Sequence, residues 1–146
     1  MIGRSHNVGL PVHILLAADW SKGGLDMSSS LCHRHTPPHQ LARAVSGADV
    51  LVSAAGVPGL VTREMVRPGA VVIDVGLSRK KGRLVGDVDA GVTEVRPGDK
   101  GDIVIFSGAL SQVASVVTPV PGGVGPCTVA CLMHNTLLAA DLQIDR

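Results

Sequence analysis

The sequence predicts an α/β fold built on a mostly parallel sheet. Short apolar runs rich in β-branched residues alternate with helical segments along the chain, which is the pattern of parallel α/β proteins. The 146 residues include 18 Gly and 9 Pro, which is typical of tight turns between strands and helices. One Trp, one Phe and no Tyr leave the core to Val, Leu, Ile and Ala, the residues of buried parallel strands. The length is that of one domain.

The predicted helices are apolar stretches that follow a capping residue, a glycine loop or a proline. Thr36 is expected to cap the second helix, with Pro37 at its first position. The last helix is apolar nearly all round, which predicts that it is buried, with Cys127 and Cys131 as small core residues. The expected ranges are about 9–18, 37–45, 62–66 and 127–142.

The predicted strands are short runs bounded by Gly, Pro, Asp or Asn. The clearest is Ala70 to Val75, and the weakest is Ser28 to Cys32, which has few β-branched residues. Residues 78–83 read as a basic, solvated turn. The remaining expected strands are 50–52, 84–85 and 103–106.

The balance of charge and the cysteine count limit the class of protein. Thirteen Lys and Arg against 12 Asp and Glu give a net charge of +1, which does not favour a nucleic-acid partner. Three cysteines cannot all pair with one another, which favours a reducing compartment over a disulfide framework. No apolar run reaches the roughly 18 residues that span a membrane, and the first residues do not resemble a secretory signal.

Two segments combine glycine or cationic residues in ways that favour anion binding. In the first, Gly3 and Gly9 flank Arg4 immediately before a helix, where backbone N–H groups face a phosphate; the alternative is an ordinary loop. The second is 32–35, Cys-His-Arg-His, with His39 nearby. It is interpreted as a zinc site, as a polar strand end, or as a place where Arg34 binds a phosphate or a ribose.

Two further segments are candidate ligand contacts. Asp74 ends the clearest strand, where open α/β sheets bind ligands, but an Asp there also caps neighbouring turns. Residues 119–126 hold three prolines and three glycines, which fix an unusual backbone path with a possible cis proline. Such a segment binds a ligand through backbone groups or serves as a rigid turn.

Taken together, five segments resemble the methylenetetrahydrofolate dehydrogenase/cyclohydrolase family. The resemblance covers most of the chain except 97–111, and the GRS-x-x-VG-x-P and PVPGGVGP motifs are specific in combination. The matching segments are GRSHNVGLP (3–11), AAGVPG (54–59), RPGAVVIDVGLSR (67–79), LVGDVD (84–89) and TPVPGGVGPCTVACLMHNTLLAA (118–140).

The resemblance implies a Rossmann-type, doubly wound cofactor domain in an enzyme of folate one-carbon metabolism. The activities it implies are oxidation of 5,10-methylenetetrahydrofolate and hydrolysis of the resulting methenyl compound by a homodimer that pairs through this domain. The implied cofactor contacts are Gly3, Arg4, Ser5, Arg34, Leu77 and Thr128. The implied contacts to tetrahydrofolate derivatives are Pro121, Gly122, Gly123 and Val124.

The loop between the first helix and Arg34 resembles the mitochondrial branch of the family, which uses NAD with Mg²⁺ and inorganic phosphate. The matching phosphate and metal positions are Arg4, Arg34 and Asp26. Phosphate held by the two arginines would take the place of the 2′-phosphate of NADP, so that NAD is expected rather than NADP. A mitochondrial matrix location follows from this subtype, with the cytoplasm as the alternative.

Three departures from the family define what is expected of residues 1–146. The Tyr and Lys of the family's N-terminal catalytic domain have no counterpart, so this chain is expected to be the cofactor domain and inactive alone. Only Met1 and Ile2 represent the first strand, which is expected to be truncated, and 97–111 is an atypical insertion. The alternative is a non-catalytic nucleotide-binding or dimerisation module from a truncated isoform.

Overall fold

The computed structural model of the protein describes residues 1–89 and 113–144. The described helices are α1 (Gly9–Ala17), α2 (Pro38–Ser46) and α3 (Val124–Ile144), with single 3₁₀ turns at Trp20–Lys22 and Arg63–Met65. The described strands are β1 (Val50–Ser53), β2 (Val71–Asp74), β3 (Ser78–Lys80), β4 (Arg83–Val85) and β5 (Val116–Val117). The predicted strand 103–106 and the segment 97–111 lie outside the described residues.

The main sheet is parallel, with strand order β1-β2-β5, which confirms the predicted α/β class. Val50 of β1 pairs with Val71 of β2, which pairs in turn with Val116 of β5. Ile2 extends this sheet beyond β1, because it forms parallel bridges to both Ser53 and Cys32. The weak strand predicted over 28–32 is reduced to that single bridge at Cys32. Parallel pairing brings the carboxyl ends of these segments to one edge, where a ligand site is expected.

The core is aliphatic, as the composition predicts. Val61 and Val72 are fully buried, and each buried side chain of this size contributes roughly 1.5–3 kcal/mol to folding. The buried apolar cluster comprises Ile2, Val45, Leu51, Val61, Val66, Ala70, Val72, Ala114 and Val117.

Helix α2 begins one residue later than predicted. Thr36 does not cap it, since its Oγ1 accepts a hydrogen bond from the His33 backbone N–H at 2.9 Å. The N-cap position belongs to Pro37, whose ψ of 142° is extended. The reason is Pro38, because a proline disfavours helical backbone in the residue that precedes it.

The basic segment 78–83 is part of an antiparallel hairpin rather than a plain turn. Strands β3 and β4 pair from Ser78 with Val85 to Lys80 with Arg83. Lys81 and Gly82 connect them with φ values of 51° and 79°. Two successive positive φ values match the twist of a two-residue hairpin. The short strand predicted at 84–85 is confirmed within β4.

Helix α3 is exposed, which corrects the prediction that it is buried. None of its residues is buried, and Leu132, Met133 and Leu137 are each 66% exposed. Cys127 and Cys131 are exposed rather than core residues for the same reason. A helix that is apolar on every side is typical of one that packs against neighbours on several sides. No described residue of this chain packs against α3 closely enough to bury any of its residues. Across 1–89 and 113–144, no helix is long and apolar enough to span a membrane.

Candidate functional site

A cleft of about 690 Å³ opens at the carboxyl edge of the sheet. Its walls come from three parts of the chain: the glycine loop 2–5, the segment from His33 into α2, and the residues from Ala54 to Met65. These segments follow Ile2, Cys32 and β1, the three neighbours in this half of the sheet. The cleft therefore lies where an open parallel sheet binds its ligand.

Gly3 lets the backbone of the glycine loop lie directly against the segment after β1. Its φ is 102°, a conformation that side chains other than glycine rarely adopt. A Cβ at Gly3 would lie 2.8 Å from the carbonyl carbon of Ala54, closer than real Cβ atoms approach. Gly9 allows the start of α1 to approach in the same way, since its Cβ would lie 2.5 Å from the Gly3 carbonyl carbon.

Ser5 connects the glycine loop to the first turn of α1. Its Oγ accepts hydrogen bonds from the backbone N–H groups of Val8 and Gly9 at 3.2 and 3.4 Å, and its carbonyl accepts from Leu10 N–H. These donors, which the sequence predicted would face an anion, are therefore already partnered by Ser5. The positive charge available to an anion at this end of the cleft comes from the exposed Arg4.

The structure brings Arg4 and Arg34 to the same cleft, whereas Asp26 is not among the residues that line it. Arg34 follows the Cys32 bridge, and its Nε contacts Nε2 of His35 at 3.1 Å. The Asp26 backbone N–H donates to Ala18 at 2.9 Å, beyond the last turn of α1, whereas Arg4 precedes its first turn. The nine residues of α1 span about 13 Å. The residues that line the cleft include no Asp or Glu.

A zinc site, one of the three interpretations of 32–35, finds no support in 1–89 and 113–144, where no three His, Cys, Asp or Glu side chains gather. Cys32 is buried at its bridge to Ile2. His33 Nδ1 accepts a hydrogen bond from the backbone N–H of His35 at 3.1 Å, which helps to fix the turn. The polar strand end is thus the interpretation that the geometry supports for these histidines.

The remaining predicted contacts lie outside the residues that line the cleft. Leu77 is 60% exposed after β2. Thr128 is exposed on α3, where its Oγ1 donates to the Val124 carbonyl at 3.0 Å. The loop 118–123 follows β5, so it starts at the same edge of the sheet as the cleft. The Val120–Pro121 peptide is cis, and Gly122 has a φ of 104°.

Asp74 faces backbone rather than the cleft, which favours the turn-capping interpretation. Its Oδ1 accepts from Gly76 N–H at 2.9 Å and Asp87 N–H at 3.1 Å, and its Oδ2 accepts from Val88 N–H at 2.9 Å. Burial raises the pKa of the Asp74 carboxyl above its ordinary value, although the three N–H donors oppose that rise.

Asp87 is the site residue that sequence reasoning missed. It is fully buried, and its carboxylate accepts four hydrogen bonds from Ser53 and the segment 55–57. The partners are 30 to 34 residues away along the chain, so no local pattern reveals them. The one available signal is that Asp87 follows Gly86 between apolar residues in the LVGDVD segment.

A parallel sheet, a glycine loop before a helix and a cleft at the carboxyl edge define a nucleotide-binding α/β domain. The sequence model described as "Tetrahydrofolate dehydrogenase/cyclohydrolase, NAD(P)-binding domain" matches residues 1–99 and 88–144. The chain belongs to this family.

Similar proteins agree with this assignment. A mitochondrial bifunctional methylenetetrahydrofolate dehydrogenase/cyclohydrolase of Drosophila melanogaster is 50% identical over 99% of the chain and 44% of its own length. The structure of a 5,10-methylenetetrahydrofolate dehydrogenase from Bombyx mori superposes with a TM-score of 0.81 at 42% identity, covering 99% of this chain and 44% of that one. A Trypanosoma brucei enzyme complexed with NADP cofactor and inhibitor gives 0.77 at 38% identity, with 99% and 43% covered. The chain thus spans less than half the length of these relatives.

Proposed function

We propose that the chain is the cofactor-binding part of a bifunctional enzyme of folate one-carbon metabolism. The enzyme would oxidise 5,10-methylenetetrahydrofolate to the methenyl compound with NAD⁺ and hydrolyse that compound to 10-formyltetrahydrofolate. The observation that carries the proposal is the cleft between the glycine loop and residues 54–65, found in a chain of this family.

The cleft fits an NAD-type dinucleotide in its shape and lining. Gly3 lies close to Ala54 and has no side chain, so its backbone would face the phosphates of the dinucleotide. Arg4 lies beside it in the lining of the cleft. Leu41, Leu60 and Met65 give the other wall an apolar surface suited to a flat base. NAD⁺ would supply the hydride acceptor, and the chain's own residues bind and orient it.

The preference for NAD over NADP is proposed to rest on Arg4 and Arg34. Two guanidinium groups in one cleft are good partners for inorganic phosphate, which would take the place of the 2′-phosphate of NADP. Asp26 is not among the residues that line the cleft, so the cleft itself gives no support to an Mg²⁺ ion held between it and the arginines. Mg²⁺ remains a prediction of the family resemblance, and no step is assigned to it.

The folate side of the reaction is proposed to lie along the loop after β5. Pro121, Gly122, Gly123 and Val124 would line it, and Leu77 and Thr128 would contact the cofactor from that side. The support is that this loop starts at the carboxyl edge of the sheet, where the cleft also opens.

The general acid and base are assigned to another part of the enzyme, because this chain contains no Tyr. Residues 97–111 are proposed to be an insertion.

The exposed helix α3 favours a second candidate function, a module that associates with other chains. Its apolar residues are exposed along its whole length, which is typical of a surface that a partner covers. We propose that the enzyme is a homodimer in which this surface is covered. We also propose a mitochondrial location, which the names of its relatives state for those proteins.

Calorimetric titration of the chain with NAD⁺, with and without phosphate and Mg²⁺, tests the proposal. NAD⁺ is expected to bind, and phosphate is expected to strengthen binding. Arg34→Ala should abolish the phosphate-dependent gain, whereas Arg83→Ala, which removes an exposed arginine of the β3–β4 hairpin, should preserve it. Absence of NAD⁺ and NADP⁺ binding would overturn the proposal, and turnover by the chain alone would contradict the assignment of the acid and base elsewhere.

A further inference from the structure

The carboxylate of Asp87 gathers donors from a single loop. Oδ2 accepts from Ser53 Oγ at 2.9 Å, Ala55 N–H at 2.7 Å and Gly56 N–H at 3.2 Å. Oδ1 accepts from Val57 N–H at 2.7 Å. Three successive backbone N–H groups therefore converge on one buried carboxylate, an arrangement in which each bond is strengthened by the negative charge.

Asp87 is itself held in place by Asp74. The backbone N–H groups of Asp87 and Val88 both donate to the Asp74 carboxylate, which fixes the segment that carries Asp87. Two glycines make this approach possible. A Cβ at Gly76 would lie 2.6 Å from Asp87 Oδ2, and one at Gly86 would lie 2.6 Å from Asp74 Cγ. The two carboxylates and the two glycines thus lock the ends of β1 and β2 together.

The loop that Asp87 holds is also a wall of the cleft. Ala54, Ala55 and Val57 line the cleft together with Arg34 and the start of α2. The Ala54 carbonyl meets Gly3, so the position of this loop sets the gap between it and the glycine loop. The Ala54 N–H still donates to the Ile2 carbonyl at 2.8 Å, but β1 ends at Ser53 and no described strand pairs with 55–57. The Asp87 carboxylate takes the place of a strand partner for the N–H groups of 55–57.

We infer that Asp87 is a positioning residue that fixes the 54–57 wall and thereby sets the affinity of the cleft for the dinucleotide. The inference rests on the proposed function for the identity of the ligand. It does not place Asp87 in contact with the ligand, because the side chain is fully buried behind the loop.

Asp87→Asn in the full chain tests the inference. The amide keeps the size of the side chain but supplies only one acceptor oxygen, so at least one N–H of the loop would face an NH₂ group. Two readouts are measured: amide hydrogen exchange at residues 55–57, and NAD⁺ affinity by calorimetry. We expect these three amides to lose protection while those of β1 keep it, and the Kd for NAD⁺ to rise at least tenfold, because charge-assisted bonds are lost.

Two control variants separate positioning from general damage. Asp49→Asn makes the same chemical change at an exposed carboxylate that pairs with Arg67 on the surface, and it should leave both readouts unchanged. Val72→Ala destabilises the core without touching the loop, and under conditions where it stays folded it should bind NAD⁺ as the wild type does.

A milder variant keeps the inference testable if Asp87→Asn fails to fold. Ser53→Ala removes one of the four donors and should raise the Kd for NAD⁺ about threefold, less than Asp87→Asn does, because the three backbone donors keep their charged acceptor. Unchanged protection of residues 55–57 in Asp87→Asn, or unchanged Kd in every folded variant, would overturn the inference alone. A wild-type chain that binds neither NAD⁺ nor NADP⁺ would overturn the proposed function, and with it the ligand that the inference assumes.

Discussion

Replacing Gly3 with alanine should lower the stability of the chain and damage the cleft. Two penalties combine at this position. The φ of 102° strains a non-glycine residue by about 1–2 kcal/mol, and the new Cβ would lie 2.8 Å from the Ala54 carbonyl carbon. Relieving that overlap requires the glycine loop and residues 54–57 to move apart, at about 1–3 kcal/mol more.

Gly69→Ala is the matched control for this prediction. Gly69 has a φ of 83°, but nothing lies within 4 Å of the Cβ it would gain. It therefore carries the backbone strain without the overlap. Urea unfolding of both variants should show Gly3→Ala to be less stable by about 2 kcal/mol, the overlap contribution. NAD⁺ affinity should fall in Gly3→Ala only. Equal stability of the two variants together with unchanged NAD⁺ binding would refute the argument that close backbone approach shapes the cleft.

Three further predictions concern stability. Val72→Ala should lower the free energy of unfolding by about 2 kcal/mol because Val72 is fully buried in β2, and a loss below about 0.5 kcal/mol in urea titration would contradict its place in the core. The pKa of Asp74 is raised by burial, so the stability this group contributes is complete below about pH 4 and is lost as pH rises. The difference in unfolding free energy between wild type and Asp74→Asn should therefore fall from pH 4 to pH 7, and an increase over that range would be inconsistent with the raised pKa. Lys81→Asn should stabilise the hairpin by about 0.5 kcal/mol, because Asn tolerates the φ of 51° better than Lys, and thermal unfolding would show a lower midpoint if this were wrong.

Local sequence patterns predicted most of the helices and strands, because the backbone preference of a short segment depends mainly on its own residues. The β-branched runs at 50–52 and 70–75 correspond to β1 and β2, and the apolar stretch that starts at Gly9 corresponds to α1. Thr36 shows the limit of such rules, since the sequence predicted Pro37 as the first helical residue, whereas the stereochemistry of Pro38 keeps Pro37 extended and moves the start to Pro38.

The features that escaped prediction depend on contacts between distant segments. The role of Asp87 depends on Ser53 and residues 55–57, which only the parallel pairing of β1 and β2 brings near it. The exposure of α3 depends on what surrounds the helix, which its own sequence cannot specify. The loop that carries Asp26 folds back onto Ala18, a contact that spacing along the chain does not reveal.

The central claim is that this chain holds the dinucleotide between the glycine loop and residues 54–57. Titration of the isotopically labelled chain with NAD⁺, followed by the shifts of its backbone amide signals, tests it most directly. Saturable shifts are expected at residues 3–5, 34 and 54–57, with the amides of the β3–β4 hairpin unchanged beyond Ser78, whose Oγ donates to the Gly56 carbonyl. Saturable shifts confined to other parts of the chain, or no shifts at any NAD⁺ concentration, would contradict it.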